Sequence, residues 1–113
     1  MPKKVTYEWI ALEFKEEEGE RYINNIDGHD NFVDAMEMSI DMNDDEFVDN
    51  GVELVKYYME GSIEGQEWRE SNTTAAWDID TQSFGTEFDD GSKIPKYLLK
   101  EVEKEVKTWG GDE

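Results

Sequence analysis

The chain has 113 residues, of which 30 are Asp or Glu and 11 are Lys or Arg, so its formal net charge is −19 at neutral pH. This charge argues against direct binding to nucleic acid or to anionic lipid, because the long-range field of the protein repels both. The lack of Cys excludes disulfides and thiolate metal sites, and aromatic residues at 12% distinguish the chain from acidic disordered proteins, which are aromatic-poor.

The excess of negative charge lies in the middle of the chain. Residues 1–15 have a net charge of +1 and residues 92–113 a net charge of 0, whereas the segment between them holds 23 acids against three cations, a net of −20. Five acids fall within Asp41–Asn50, and no Lys or Arg occurs from Asp30 to Glu53. We therefore expect one strongly acidic surface rather than an even distribution of charge.

The length and the apolar content of the chain limit the number of domains it can form and the compartments in which it can reside. A chain of this length suits one domain, so residues 1–113 are predicted to form a single acidic globular domain. The N-terminus has two Lys but no apolar segment behind them, and no window is apolar enough to span a membrane. We expect a cytoplasmic protein without a membrane partner.

The first predicted element is a β-hairpin. Residues 5–14 are rich in β-branched and aromatic residues and nearly alternate, which indicates a strand. Residues 15–20 are polar and contain Gly19, which indicates a turn, and residues 21–26 form a short return strand. The pattern breaks at residues 27–31, where we expect a turn that includes His29.

A short helix is predicted next, from about Asn31 to Asp41. Asp30 or Asn31 can cap it, and its apolar positions recur at helical spacing. The opposite face carries Asp34, Glu37 and Asp41, whose spacings of three and four place them about 5–6 Å apart on one side.

The middle of the chain is predicted to be mainly β-structure. Residues 52–60 read as a strand or as the second half of a helix begun near Asp45, and the adjacent Tyr57 and Tyr58 favour the strand. Residues 71–73 have the composition of a turn, residues 74–80 alternate like a strand, and residues 84–88 predict a final short strand.

The last predicted element is an amphipathic helix. Pro95 is tolerated in a first helical turn, Ser92 is a candidate cap, Glu103 and Lys107 form a favourable pair, and Gly110-Gly111 ends the helix. The apolar stripe consists of Leu98, Leu99, Val102, Val106 and Trp109. The predicted fold is α+β: an antiparallel sheet with this helix packed on one face and the shorter helix near residues 31–41.

No arrangement of residues indicates catalysis, so we predict a protein that is not an enzyme. The chain lacks a Gly-rich phosphate loop and a nucleophile motif, and its one His cannot complete a zinc site. Asp41, Asn43, Asp45 and Asp49 match four ligand positions of a calcium loop, but Glu46 stands where the turn needs Gly and Val52 where the bidentate Glu should be. We expect no cofactor, with weak binding of a divalent cation as one alternative.

By size, acidity and lack of Cys, the chain resembles the phage-encoded DNA-mimic inhibitors of the anti-restriction and anti-CRISPR type, without any shared motif. This resemblance implies a phage protein in the host cytoplasm that blocks a basic, nucleic-acid-binding partner. The alternative is an acidic interaction or immunity module with a basic partner of another kind. The predicted partner-binding residues are Asp34, Glu37, Asp41, Asp44, Asp45, Glu46, Asp49 and Trp68. The oligomeric state stays open, with a dimer among the alternatives.

Overall fold

One antiparallel sheet of four strands forms the framework of the protein. The structure is a computed structural model that describes residues 5–62 and 67–109, without the side chains of residues 62, 67 and 68. The strands are β1 (Thr6–Glu17), β2 (Glu20–His29), β3 (Val52–Ser62) and β4 (Glu67–Ala76), and the helices are α1 (Phe32–Met42) and α2 (Lys96–Trp109). The spatial order of the strands is β2-β1-β3-β4, which confirms the predicted α+β fold.

The predicted hairpin is confirmed, but its turn is shorter than expected. Glu17 pairs with Glu20, so only Glu18 and Gly19 connect the strands, and both have positive φ values of 53° and 84°. Two successive residues with positive φ match the right-handed twist of the flanking strands. The polar composition around residue 15 therefore marks an exposed hairpin tip rather than a long loop.

β2 also continues further than predicted, through the residues expected to form a turn. Gly28 pairs with Ile10 and His29 pairs with Trp9, so the prediction of a turn at His29 is wrong. A Cβ atom at Gly28 would collide with the Glu8 carboxylate, so a larger residue at this position would require the Glu8 side chain to move. His29 Nε2 lies 2.8 Å from Asp27 Oδ2, although its N–H is not aligned for a hydrogen bond.

Helix α1 begins and ends at two asparagines. Asn31 is the N-cap, and its side-chain oxygen accepts a hydrogen bond of 2.9 Å from the Asp34 N–H. The first helical N–H, that of Phe32, donates to Glu101 Oε2 of α2 at 2.7 Å. This carboxylate satisfies a free donor at the positive end of the helix dipole, so it fixes α2 to the start of α1.

The second half of the sheet, β3 and β4, differs from the sequence prediction at residues 71–73. Residues 52–60, predicted as a strand or as part of a helix, lie in β3, so the preferred strand prediction is confirmed. Residues 71–73, predicted as a turn, lie in the middle of β4, where Ser71, Asn72 and Thr73 pair with three successive residues of β3. The prediction was wrong because pairing with a long neighbouring strand outweighs the local turn preference of these residues.

The segment between β4 and α2 forms no further strand. Residues 78–80 were predicted to extend the strand, but Asp78 Oδ1 accepts hydrogen bonds from the Asp80 and Thr81 N–H groups and bends the chain. Residues 84–88, predicted as a strand, make only one isolated bridge, between Glu87 and Lys93. Phe84 and Phe88 are nevertheless buried, so this irregular segment contributes to the core.

Helix α2 begins at Lys96, with the Pro95 carbonyl accepting the N–H groups of Leu98 and Leu99. Ser92 is not its cap, because the Ser92 hydroxyl donates to Asp90 Oδ1 at 2.6 Å within an earlier turn. The predicted Glu103–Lys107 pair is not among the ion pairs shorter than 4 Å in the described part of the chain. Gly110 and Gly111 lie outside the described residues.

The core lies between one face of the sheet and the two helices, and aromatic rings dominate it. Trp9 and Trp77 are buried, and Phe32 packs against both, with ring centroids 5.4 Å and 5.6 Å away. Of the residues predicted to pack α2 on the sheet, Leu98 and Val102 are buried and Val106 is half-buried. No helix among the described residues is long and apolar enough to cross a membrane.

Candidate protein-binding surface

Seven of the predicted partner-binding residues are exposed acids along one stretch of the chain, residues 34–49, here called the acidic ridge. Three lie on α1 and four on the connection that leads from α1 to β3. All seven side chains are exposed. The acidic ridge consists of Asp34, Glu37, Asp41, Asp44, Asp45, Glu46 and Asp49.

The helical half of the ridge points away from the core. Phe32, Ala35, Met36 and Ser39 are the buried residues of α1, so its acids occupy the opposite side of the helix. The last turn of α1 holds no basic residue, although the negative end of the helix dipole lies there. Asp41 adds to this negative end, so negative charge accumulates where the helix enters the connection.

Asn43 fixes the end of α1 to the sheet. Its side-chain oxygen accepts the Phe14 N–H at 2.9 Å, and its amide nitrogen donates to the Leu12 carbonyl at 2.9 Å and to the Ser39 carbonyl at 2.7 Å. Beyond Ala11, where the β1–β3 pairing ends, this side chain therefore takes the place of a neighbouring strand. Sequence reasoning considered Asn43 only as a calcium ligand and missed this role.

The rest of the connection is also held in place. The Asn50 N–H donates to the Trp77 carbonyl at 2.8 Å, and Asp49 Oδ1 accepts the Ile79 N–H at 3.0 Å. Asp44, Asp45 and Asn50 each have a φ of 64°, a left-handed conformation that Asp and Asn adopt more readily than other non-glycine residues. The carboxylates of the connection thus project from a backbone with a defined path.

The seven acids differ in how free their carboxylates are. Asp34 accepts a hydrogen bond from the Asn31 amide at the start of α1, and Asp49 is bound to the Ile79 N–H. The other five side chains make no hydrogen bond or ion pair with any described residue. These five, Glu37, Asp41, Asp44, Asp45 and Glu46, are the carboxylates available to a partner.

Two cations lie next to the ridge, which the sequence did not indicate. A shallow groove separates the ridge from the β1–β2 hairpin; Lys15 and Arg21 line its hairpin side, and Asp44 and Glu46 line the opposite side. Lys15 Nζ is 3.7 Å from Glu13 Oε2, and the Arg21 guanidinium stacks 4.0 Å above the Phe14 ring. No Lys or Arg occurs within the sequence of the ridge, but the fold brings these two cations of the hairpin next to it.

An aromatic side chain lies within the ridge. Phe47 is 48% exposed, and its ring centroid is 5.2 Å from that of the half-buried Trp109 of α2. Trp109 in turn packs against Phe32 and Trp77. Phe47 thus connects the acidic connection to the core and leaves part of an apolar ring on the surface, a feature that sequence reasoning missed.

The connection does not have the arrangement of a calcium loop. Asn43 binds the backbone of β1 and Asp49 binds the Ile79 N–H, so two of the four candidate ligands are used elsewhere. Among residues 5–62 and 67–109, no three acidic or His side chains converge as metal ligands would. The Trp68 side chain, the last of the predicted partner-binding residues, lies outside what the structure describes.

The density of carboxylates predicts a salt dependence of stability. We expect the melting temperature to rise from low salt to about 0.1 M NaCl, because a Debye length of about 10 Å screens the repulsion among the exposed acids. Differential scanning calorimetry in a NaCl series would measure this rise. A melting temperature that falls over the same range would contradict a dense, fixed acidic surface.

The partly buried carboxylate of Glu53 predicts that the stability of the protein depends on pH. Burial between β1 and β4, together with the nearby Asp89 carboxylate, raises the pKa of Glu53 above its ordinary value of 4.5. The folded state therefore binds this proton more tightly than the unfolded state, and stability falls as pH rises from 4.5 through the raised pKa. We expect Glu53→Gln to melt higher than wild type at neutral pH, with a difference that shrinks toward pH 4.5 and below.

The control for this prediction is Glu70→Gln, at an exposed position on the neighbouring strand β4. It removes the same charge without relieving burial of a carboxylate, so it should give a smaller gain. Thermal unfolding of both variants between pH 4 and pH 8 makes the comparison. Equal gains at neutral pH for the two variants would show that only net charge matters.

Comparison with known proteins gives no relative. No family model matches the chain, and neither the curated proteins nor the solved structures contain a match. The case for a function therefore rests on the ridge and its surroundings.

Proposed function

We propose that the protein is a non-enzymatic acidic inhibitor that mimics the charge of DNA and blocks a nucleic-acid-binding protein. The observation that carries the proposal is the acidic ridge, in which five carboxylates without partners among the described residues project from a helix and an anchored connection. Residues three or four apart on a helix are about 5–6 Å apart. Duplex DNA presents one charge per about 1.7 Å of its axis, counting both strands. A fixed array of carboxylates can therefore occupy a groove lined by Lys and Arg.

The energetics of the ridge agree with this proposal. Like charges at these spacings, and an acid at the negative end of a helix dipole, each cost a few tenths of a kcal/mol. A partner that supplies Lys and Arg relieves these repulsions when it binds. Charge complementarity of this kind accelerates association at low salt and weakens binding as salt rises.

A second candidate function is supported by Phe47. DNA has no counterpart to an exposed phenyl ring at the centre of a charged surface, whereas aromatic anchors are common in protein interfaces. This ring favours an acidic interaction or immunity module, whose basic partner has an apolar pocket and does not bind DNA. The two functions differ in whether DNA competes for the partner.

The test begins with affinity capture of partners from a lysate of the cell in which the protein acts. Binding of a captured partner is then measured for wild type and for the Asp41→Asn, Asp44→Asn, Asp45→Asn triple variant. Asn tolerates the left-handed conformation at residues 44 and 45, so the fold should be retained. Three exposed ion pairs contribute about 1–3 kcal/mol, so we expect affinity to fall roughly five- to hundredfold.

The matched control carries Glu17→Gln, Glu60→Gln and Glu103→Gln, three exposed positions on other elements. It loses the same charge but leaves the ridge unchanged, and its affinity should stay within about threefold of wild type. Duplex DNA should compete with the protein for the partner. If the ridge variant binds like the control and DNA does not compete, DNA mimicry is wrong.

Phe47→Ser separates the two candidate functions. If DNA does not compete and this variant alone abolishes binding, the interaction module is favoured. If DNA competes and Phe47→Ser binds nearly as well as wild type, the charge array is sufficient and mimicry is supported.

A further inference from the structure

The sheet has a second face that none of the described helices covers. Trp9 and Ala11 of β1 point into the core, so the alternating residues Ile10 and Leu12 point to the opposite face. The register places Ile26 of β2 beside Leu12, and Ile23 beside Phe14. The irregularity in β2 at this point inserts one extra residue, so Ile23 and Ile26 share a face although they are three residues apart.

These five side chains form an apolar surface, here called the hairpin patch: Ile10, Leu12, Phe14, Ile23 and Ile26. Leu12 is only 4% exposed, whereas Ile23 is 53% exposed and Ile26 is 60% exposed. From Arg21 to Ile26, β2 contains no acid. In a chain with a net charge of −19, two exposed isoleucines bordered by the half-buried Ile10 and Phe14 indicate a binding surface rather than ordinary exposure.

The uncovered face also carries carboxylates beside the patch. Glu8 Oε1 accepts a hydrogen bond of 2.9 Å from the Tyr57 hydroxyl, and the same carboxylate lies over Gly28. Glu53 is directly opposite Ile10 in the register, and Asp89 Oδ2 accepts the Thr74 hydroxyl at 3.2 Å. Arg21, stacked on Phe14, is a cation at the other end of the patch, near the hairpin tip.

This distribution of charge discriminates between possible occupants. A second copy of the chain would bring two sets of these carboxylates together and add the repulsion of two highly negative molecules. A segment whose apolar stripe is bordered by Lys or Arg would cover the isoleucines and pair with Glu8 and Glu53. Charge complementarity therefore favours a basic partner over self-association.

We propose that the hairpin patch is a second protein-binding surface, which takes an amphipathic basic segment on the sheet face that the helices do not cover. Its Phe14 end borders the groove beside the acidic ridge. The protein would then present two surfaces to basic partners: the acidic ridge, in which charge predominates, and the hairpin patch, in which apolar contact predominates. This inference does not depend on what the ridge binds.

The test uses a synthetic peptide of about five helical turns, with Leu on one face and Lys on the others. A matched peptide has Ser in place of every Leu and the same number of Lys residues. NMR of isoleucine methyl groups reports on both faces, because Ile10, Ile23 and Ile26 lie in the patch and Ile40 lies on α1 below the ridge. We expect the Leu/Lys peptide to shift the three patch methyls and the Ser/Lys peptide to leave them unshifted.

Variants make the test quantitative. Ile23→Thr with Ile26→Thr keeps β-branched residues on the strand and should weaken Leu/Lys binding at least about tenfold. Tyr97→Ser removes an exposed apolar side chain from α2 and should change the affinity less than about twofold. Equal affinity of the double variant and wild type, or shifts confined to Ile40, would overturn the proposal.

Sedimentation velocity of the protein alone completes the test. A monomer at micromolar concentration agrees with a patch that awaits a basic segment. A dimer that the Ile23→Thr, Ile26→Thr variant abolishes would show that a second copy occupies the patch, and it would overturn the proposed partner. Neither result bears on the ridge variants, so failure of this inference is distinguishable from failure of the proposed function.

Discussion

Replacing Val102 by Asp should unfold the protein or bring it close to unfolding. Val102 of α2 is 3% exposed and belongs to the core cluster. An unpaired carboxylate at this position loses its hydration without gaining a cation, which costs several kcal/mol. A domain of this size has a free energy of unfolding of about 5–15 kcal/mol, so most of the stability is lost. Urea denaturation followed by tryptophan fluorescence would measure the change.

Tyr97→Asp is the control for this prediction, because it places the same new acid on the same helix. Tyr97 is the most exposed of the large apolar side chains, at 65%, and it lies in the first turn, where the helix dipole favours an acid. Its free energy of unfolding should stay within about 0.5 kcal/mol of wild type. If the two variants were equally stable, α2 would not form part of the core.

Replacing Asn43 by Ala should destabilise the protein by about 2–4 kcal/mol. The variant loses three hydrogen bonds, to the Phe14 N–H and to the carbonyls of Leu12 and Ser39. Part of this site is buried, so the freed backbone groups of β1 are not fully solvated in compensation. We also expect faster hydrogen exchange at the Phe14 amide, which NMR can follow at equilibrium.

Two further variants test this role of Asn43. Asn43→Asp keeps the acceptor for Phe14 but loses the donor to Leu12 and adds a charge beside Asp44, so it should also be less stable than wild type. Asn24→Ala removes one exposed hydrogen bond to Glu13 and should cost less than about 0.5 kcal/mol. An Asn43→Ala variant as stable as Asn24→Ala would mean that the end of α1 is held by other contacts.

The sequence by itself was sufficient for the elements whose signals are local. Alternation predicted β1, the Asn31 cap and helical spacing predicted α1, and the apolar stripe predicted α2. Each of these elements buries one face over part of its length, so the spacing of its apolar residues follows its burial. The acidic face of α1 followed from the same spacing, because residues three and four apart on a helix lie on one side whatever the rest of the chain does.

Only the tertiary structure decided what depends on distant parts of the chain. Ser71–Thr73 became strand because β3 pairs with it, and Phe84 and Phe88 entered the core from a segment without regular structure. Lys15 and Arg21 approached the ridge because the β1–β2 hairpin extends beside the end of α1. The hairpin patch needed both the register of two strands and the extra residue in β2. These features arise from pairing and packing between segments far apart in sequence, which leave no periodic signal within either segment.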